Sequence, residues 1–364
     1  MAEPTYTCRI AFASNPFDNV PVWNDVSSDL MNFHIRRGRQ WELNRMEAGI
    51  ATVRLSNLSL NYWPNNTTGS YSPNVLPWKR INIQATYGAT TYDLFTGYVE
   101  SWLPQFILEP IKAPVMDLSC SDGIKNLSLM LINNTTGYSQ ELSGTRIDNV
   151  LTAIGWASTA RNLNAGQSTL QSTGPLANEN AMTHLFTVED SEYSILFVSP
   201  SSSMTFQDRH ARLKSPYTTS QATFGDTLST DKGYSGIDLA YEDLRIYNDI
   251  RVTRSGGTEQ VATDTTSKDA YGTRSLERSN LLMISDTESL AQAQYLRSKY
   301  KDPVIRCKQI EIKPNYDPAN LYPCVLGYDI STRITVKLSQ ASINTEYHIE
   351  GIYHDWERTD PVGL

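Results

Sequence analysis

The stretch GIATVRLSN (49–57) alternates without a break: Ala51, Val53 and Leu55 fall on one side, and Thr52, Arg54 and Ser56 on the other. A period of two is the signature of an extended strand with one face buried and one face wet, and it excludes an amphipathic helix. The chain must therefore build at least one half-buried sheet. RINIQATYG (80–88) and YDLFTGYVESW (92–102) read as two further antiparallel strands joined by a short turn, and VMDLSCSDGIKNLSLMLI (115–132) adds at least one more. Between them NYWPNNTTGSYSPN (61–74), rich in Asn, Gly, Ser and Pro, reads as a long exposed loop.

The period changes at SGTRIDNVLTAIG (143–155), where Ile147, Val150, Leu151 and Ile154 share a helical face. Ser143 or Thr145 is available as its cap and Gly155 as its stop. YSILFV and MTFQDR flank SPSSS and read as a hairpin, with VEDSE (188–192) as a solvated acidic turn before it. A second helix is expected from about Asp286 to Lys301, with Ser285 and Glu288 as a capping box and Ala293, Leu296 and Tyr300 on one face. Strands resume at GIDLAYEDLRIYNDIRVTR (236–254), YDISTRITVKL (328–338) and TEYHIEGIYHDWERTD (345–360).

These elements predict a mostly β chain, α+β overall. The expected order is a first β domain over 1–135, an inserted α+β domain over 136–232, and a second β domain over 233–364 carrying a small helical subdomain at about 258–318. A length of 364 residues accommodates two or three such cores. An internal echo bears on the two β domains. FTGYVESW (95–102) and IEGIYHDW (349–356) share a pattern that aligns Gly97 with Gly351 and Trp102 with Trp356. VRLSN (53–57) matches IRVTR (250–254), and INIQA matches ITVKL, in the same order. Two readings of the echo stand: a duplicated β-barrel, or generic amphipathic strands.

The net charge of −8 argues against general nucleic-acid binding, which needs a basic face, but not against DNA passing a surface that does not hold it. Cys8, Cys120, Cys307 and Cys324 are widely spaced, so free thiols are expected rather than a zinc site or a disulfide framework. The N-terminus lacks a basic region followed by an apolar run, and no stretch is apolar enough to span a bilayer, so a cytoplasmically made protein is expected. His34, His184, His210, His348 and His354 show no metal-ligand spacing, and neither a nucleophile elbow nor a phosphate loop is present. No catalytic, cofactor or metal residues are assigned, and a cell-wall hydrolase reading finds no ligand set or paired carboxylates.

RRGRQW (36–41) is too short and too isolated to be a nucleic-acid arm. It is either a solvated cluster at a strand end or a subunit contact, for which arginine's planar fork is suited. The residues assigned to such a contact are Arg36, Arg37, Arg39, Trp41, Trp102 and Trp356. Tyr62, Trp63 and Tyr71 could instead stack on sugars, which would make the chain a receptor- or glycan-binding module.

VWNDVSSDLMNFHIRRGRQWELNRMEAGIATVRLSN (22–57), taken with LFTGYVESW, resembles the start of tail hub proteins of long-tailed bacteriophages, also called minor tail or tail tip proteins. The likeness continues at GTRIDNVLTAIGW (144–156), YNDIRVTRSGG (247–257), YGTRSLERSNLL (271–282) and AQAQYLRSKYKDPVIRC (291–307), and so covers nearly the whole chain. These motifs are specific together and weak singly. The resemblance implies two similar hub-type β-barrels per chain, so that a homotrimer forms a pseudo-sixfold ring. That ring would join a sixfold distal tail or tube protein to threefold tip or fibre proteins and line a channel for tape measure protein and DNA. It further implies a structural virion protein, not an enzyme, assembled in the host cytoplasm and located at the tail tip. The adhesin-like or hydrolase extension of many hubs is expected to be absent, since the sequence stops at Leu364.

Overall fold

The computed structural model describes residues 3–106 and 113–359. Its largest element is one eight-stranded sheet. Seven strands come from the first third of the chain: β1 (Thr5–Ile10), β2 (Asn24–Asp25), β3 (Leu30–Gly38), β4 (Glu47–Ser56), β5 (Arg80–Tyr87), β6 (Thr90–Gln105) and β7 (Val115–Ser121). The eighth, here the closing strand (Gly351–Glu357), comes from the far end of the chain, and the order is β2-β1-β5-β6-β7-β4-β3-closing strand. The alternation in β4 is realised as expected: Ala51, Val53 and Leu55 are buried, and Ile50 and Thr52 are exposed. The inward residues form a core with Cys8, Ile10, Phe33, Ile83, Phe95, Val99 and Leu118.

The sheet curls until Tyr6 on β1 meets Phe33 and Trp356, with ring centroids 5.4 and 4.9 Å apart. Arg358 donates to the Ser27 carbonyl at 2.7 Å across the same seam. Among the described residues no ladder joins β1 or β2 to the closing strand, so no closed barrel is seen. Side chains bridge the seam. Two glycines shape the curl. A side chain at Gly97 would run into the Ser121 carbonyl of β7, and one at Gly38, whose φ is +93°, into the Glu350 carbonyl.

An α+β module with its own core follows: α1 (Gly123–Leu129), α2 (Ser143–Ala153), α3 (Ala181–Glu192), β8 (Ile195–Val198) and β9 (Met204–Gln207). β8 and β9 form the expected hairpin. Ile147, Val150 and Leu151 are buried as the helical period requires, and Gly155 takes φ +77° beyond the helix end. The cap differs. Neither Ser143 nor Thr145 caps α2, because the Ser143 hydroxyl donates to buried Glu192 at 3.0 Å. VEDSE is not a solvated turn. It forms the C-terminal half of α3, with Glu189, Ser191 and Glu192 buried. Asn180 caps that helix by accepting the Thr183 N–H, a signal hidden in a polar stretch without clear period.

The remaining elements are β10 (Thr223–Phe224), β11 (Gly236–Ala240), β12 (Asp249–Arg254), β13 (Gln260–Thr263), α4 (Thr265–Tyr271), β14 (Ser275–Leu281), α5 (Asp286–Tyr300), β15 (Arg306–Glu311), α6 (Pro318–Gly327), β16 (Arg333–Leu338) and β17 (Ile343–His348). In α5 the Ser285 hydroxyl accepts the Glu288 N–H, and Ala293, Leu296 and Tyr300 pack under β12, as expected. That third core draws on Ile250 and Val252, upstream of residue 258. β10-β16-β17 and β11-β15 make two small sheets over a fourth core. Of the echoed segments, those around Gly97 and Gly351 both lie in the large sheet, whereas IRVTR and ITVKL lie in two different small sheets. The chain is thus mostly β with six helices among the described residues.

Candidate assembly surface and the junction beneath it

Residues 36–47 leave the large sheet at the end of β3, loop outward and return as β4, and nearly every side chain in this span touches a different part of the molecule. Arg37, only 5 % exposed, donates to Asp329 and to the Val198 carbonyl of β8, each at 3.0 Å. Arg39, 9 % exposed, donates to Glu350 at 2.8 Å and to the Asn44 carbonyl at 3.0 Å; Arg212 from beyond the hairpin grips the same Glu350. Trp41 carries the Arg245 guanidinium on its ring, with the Lys308 ammonium 5.6 Å from the centroid. Glu42 accepts from Lys299 and Tyr300 of α5 at 2.7 and 2.9 Å. Arg45 reaches Asp190 of α3 at 2.5 Å, and Met46 packs with Ile195, Phe197 and Ile330.

The reading of RRGR as a solvated cluster is therefore corrected for Arg37 and Arg39, because the folded chain surrounds both with acceptors from four segments. Burying a guanidinium is tolerated only when its donors find such partners. Apart from the Asn44 carbonyl, the acceptors lie 161 to 311 residues away, where no local pattern announces them. Trp102 and Trp356 are half-buried against the first core, Trp102 donating to the Leu76 carbonyl at 2.9 Å and Trp356 stacking on Phe33 at 5.5 Å. Tyr62 is not a loop-tip aromatic. It is fully buried and donates to Asp29 at 2.6 Å, while Tyr71 stacks on Phe12 at 4.0 Å.

Of the six residues assigned to a subunit contact, Arg36 alone points from β3 onto the outer face of the sheet. It pairs with Glu47 at 2.8 Å, and its guanidinium lies 5.8 Å from the Tyr353 ring. The register sets Tyr353, Arg36 and Ile50 in one row, Asp355, His34, Thr52 and Ser119 in the next, and Glu357, Asn32, Arg54 and Asp117 in a third. The face is polar with a small excess of acids over bases, and its Arg54–Asp117, His34–Asp355 and Arg36–Glu47 pairs balance within the sheet.

The closing strand is the sheet's edge. Arg39 N–H donates to the Glu350 carbonyl and Arg358 N–H to the Met31 carbonyl, both at 2.8 Å, so the even-numbered residues bond to β3. By antiparallel alternation the backbone groups of Gly351, Tyr353, Asp355 and Glu357 point away from β3, where no strand is paired among the described residues. That edge borders an open cleft of about 1650 Å³ lined also by Tyr6, α6, β15 and β17. An unprotected edge of this kind is a template for strand addition. His348 and His354 both face the cleft, and burial lowers His354 to about 4, so it is neutral at ordinary pH.

No helix among the described residues is long and apolar enough to cross a membrane. No family model and no curated protein matches the chain. Solved structures do. The 43 kDa tail protein of prophage MuSo2 from Shewanella oneidensis superposes with TM-score 0.60 at 12 % identity, covering 98 % of this chain and 95 % of its own. A tail protein from Neisseria meningitidis MC58 gives TM-score 0.61 at 10 % identity, covering 99 % and 94 %. A prophage tail protein from Listeria monocytogenes EGD-e gives TM-score 0.52 at 10 % identity, covering 96 % and 90 %. At such identities the likeness is one of fold, and it runs end to end: the chain has the fold of phage tail proteins.

Proposed function

We propose that this chain is a structural protein of a bacteriophage tail tip, a homotrimeric hub and not an enzyme. The observation that carries the reading is the likeness of fold to tail proteins over at least 96 % of this chain and 90 % of theirs. In this reading the large sheet and the β sheets around β10, β11, β15, β16 and β17 are the two hub-type barrels of each chain, and three chains make a pseudo-sixfold ring. The ring joins a sixfold distal tail or tube protein to threefold tip or fibre proteins and lets tape measure protein and DNA pass. The open edge of the closing strand supports a lateral contact with a neighbouring subunit. Arg36 and the partly open Trp102 and Trp356 are proposed to meet that neighbour, while Arg37, Arg39 and Trp41 hold the strand that presents them. The slightly acidic, internally paired outer face fits a surface past which DNA moves without sticking. The burial of Tyr62 leaves little of the glycan-stacking alternative.

The test is the mass and symmetry of the purified protein by light scattering and electron microscopy, alone and with its distal tail partner. Threefold particles of about three chain masses are expected. A monomer that forms no ring even beside that partner would overturn the hub reading.

A further inference from the structure

Glu189 lies in the last full turn of α3, 3 % exposed, where the α+β module packs on the large sheet. Its Oε1 accepts the Leu196 N–H at 3.1 Å, and its Oε2 has no partner. A buried carboxylate oxygen without a donor is costly when charged. The charged groups around it are Asp190 from α3 and Arg39 and Arg45 from the junction loop, while β8 offers only its backbone. Both cations are already engaged. Arg45 holds Asp190 at 2.5 Å, and Asp190 is gripped from its other side by Arg278 of β14, also at 2.5 Å, while Gln292 of α5 donates to its carbonyl. Arg39 holds Glu350, which Arg212 also grips. Arg45 on Asp190, Arg212 on Glu350 and Arg37 on the Val198 carbonyl fasten the module to the sheet.

We infer that Glu189 is a proton-operated latch: neutral, it lies in the seam between the module and the sheet at little cost, and ionised, it puts there a charge that Arg39 and Arg45, already committed to Glu350 and Asp190, do not pair, and so loosens the docking. The change is one proton lost to solvent from the Glu189 carboxyl. No other bond need break first. Drawing in Arg39 or Arg45 would strip Glu350 or Asp190 of a partner, so the charge at Glu189 is not neutralised without a loss elsewhere. Burial raises the Glu189 carboxyl from its ordinary 4.5 to about 7, against the opposing Leu196 N–H and the two arginines. A raised folded-state value makes the neutral form's contribution complete below about 4.5 and lost as pH rises through about 7. The latch is therefore shut in mild acid and loosened in mild base. It is a property of the docking contact and does not depend on what the tail does.

Hydrogen exchange by mass spectrometry on the full chain tests it, read as protection factors at pH 6 and pH 8.5 so that the intrinsic pH dependence of exchange cancels. In the wild type, peptides covering the end of α3 and β8–β9 should lose about tenfold of protection over that interval. Glu189→Gln keeps an acceptor for the Leu196 N–H and cannot ionise, so its protection should be flat. Glu189→Met serves as a second non-titrating variant if Gln proves poorly folded. Asp122, which burial also raises to about 7, accepts the Gly49 and Ile124 N–H groups, so its titration would report in α1 and β4 instead. A wild-type loss confined to α3 and β8–β9 that vanishes in either variant supports the latch. The same loss in both variants, or no loss in the wild type, overturns it.

Discussion

Cys8, Leu55, Ile81, Ile83 and Val99 in the large sheet are wholly buried, and the aromatic rings of Phe33 and Phe95 are nearly so. Around the small sheets of the C-terminal half, Ile237, Cys307, Ile310, Ile312, Tyr347 and Ile349 are only half-buried, and most of them line the open cleft. The first β region completes its own core. The second leaves comparable apolar residues half-covered beside unpaired strand edges. A region of that kind draws part of its stability from what docks against it. The proposed subunit contact would cover the second region, and substitutions in the two regions test the contrast.

The largest effect should come from the first core. Phe95→Ala, at a site 1 % exposed, should cost about 3–5 kcal/mol in urea unfolding of the isolated chain. Ile310→Ala, at a half-buried site of the second region, should cost about 1–2 kcal/mol in the same measurement, because less apolar surface is lost. Equal losses would mean that the two cores are equally complete, and the comparison would fall.

The junction loop divides the arginine cluster the same way. Arg37→Ala removes a buried guanidinium from Asp329 and the Val198 carbonyl and should cost about 2–3 kcal/mol by denaturation, somewhat below a fully buried pair because Asp329 is 31 % exposed. Arg36→Ala removes the exposed pair with Glu47 and the contact with the Tyr353 ring and should stay below about 1 kcal/mol. Similar losses from the two would show that depth along this strand does not decide their roles.

How far the sequence could foresee these contrasts depends on the range of the interaction. The β4 alternation, the Ser285 cap and the β8–β9 hairpin are local signals, and each was legible in a short window of the chain. Helix α3 was not, since its acid-rich end, VEDSE, reads as a turn although the folded chain buries two of its acids. Glu192, for example, is satisfied by backbone N–H groups at Gln167 and Ser168. The closing strand read as a strand, but nothing local told that it would pair with β3, more than 310 residues earlier, rather than with its own neighbours. The junction is illegible for the same reason, because RRGRQW shows donors and the acceptors that bury Arg37 and Arg39, namely Val198, Asp329 and Glu350, lie in the other half of the chain.

Acid should separate the junction from the rest of the fold. Burial alone would raise the Glu42 carboxyl, but Lys299, the Tyr300 hydroxyl and Arg212 outweigh it and bring it down from 4.5 to about 2. A lowered folded-state value contributes stability above about pH 4.5 that is lost as pH falls toward 2. Glu42→Gln should therefore cost about 2 kcal/mol near pH 7, allowing for its partial exposure, and the gap to wild type should close as pH falls to about 2. A gap that persists unchanged at low pH would assign the loss to packing instead of charge.

The smallest effect on the isolated chain is the most telling. The register puts the Tyr353 N–H on the open edge of the closing strand, away from β3. Tyr353→Pro then removes a donor that has no partner in the chain, and proline is tolerated on edge strands, so denaturation should show a loss of about 1 kcal/mol or less. A proline elsewhere in the strand is different. At His354 the N–H is directed at β3, and the same substitution there should cost about 3 kcal/mol or more. If the open edge is where a neighbouring subunit adds its backbone, Tyr353→Pro should abolish the oligomer seen by light scattering while leaving the monomer folded. Wild-type oligomers from the Tyr353→Pro chain would move the contact off this edge and leave the half-covered core of the second region to be covered in some other way.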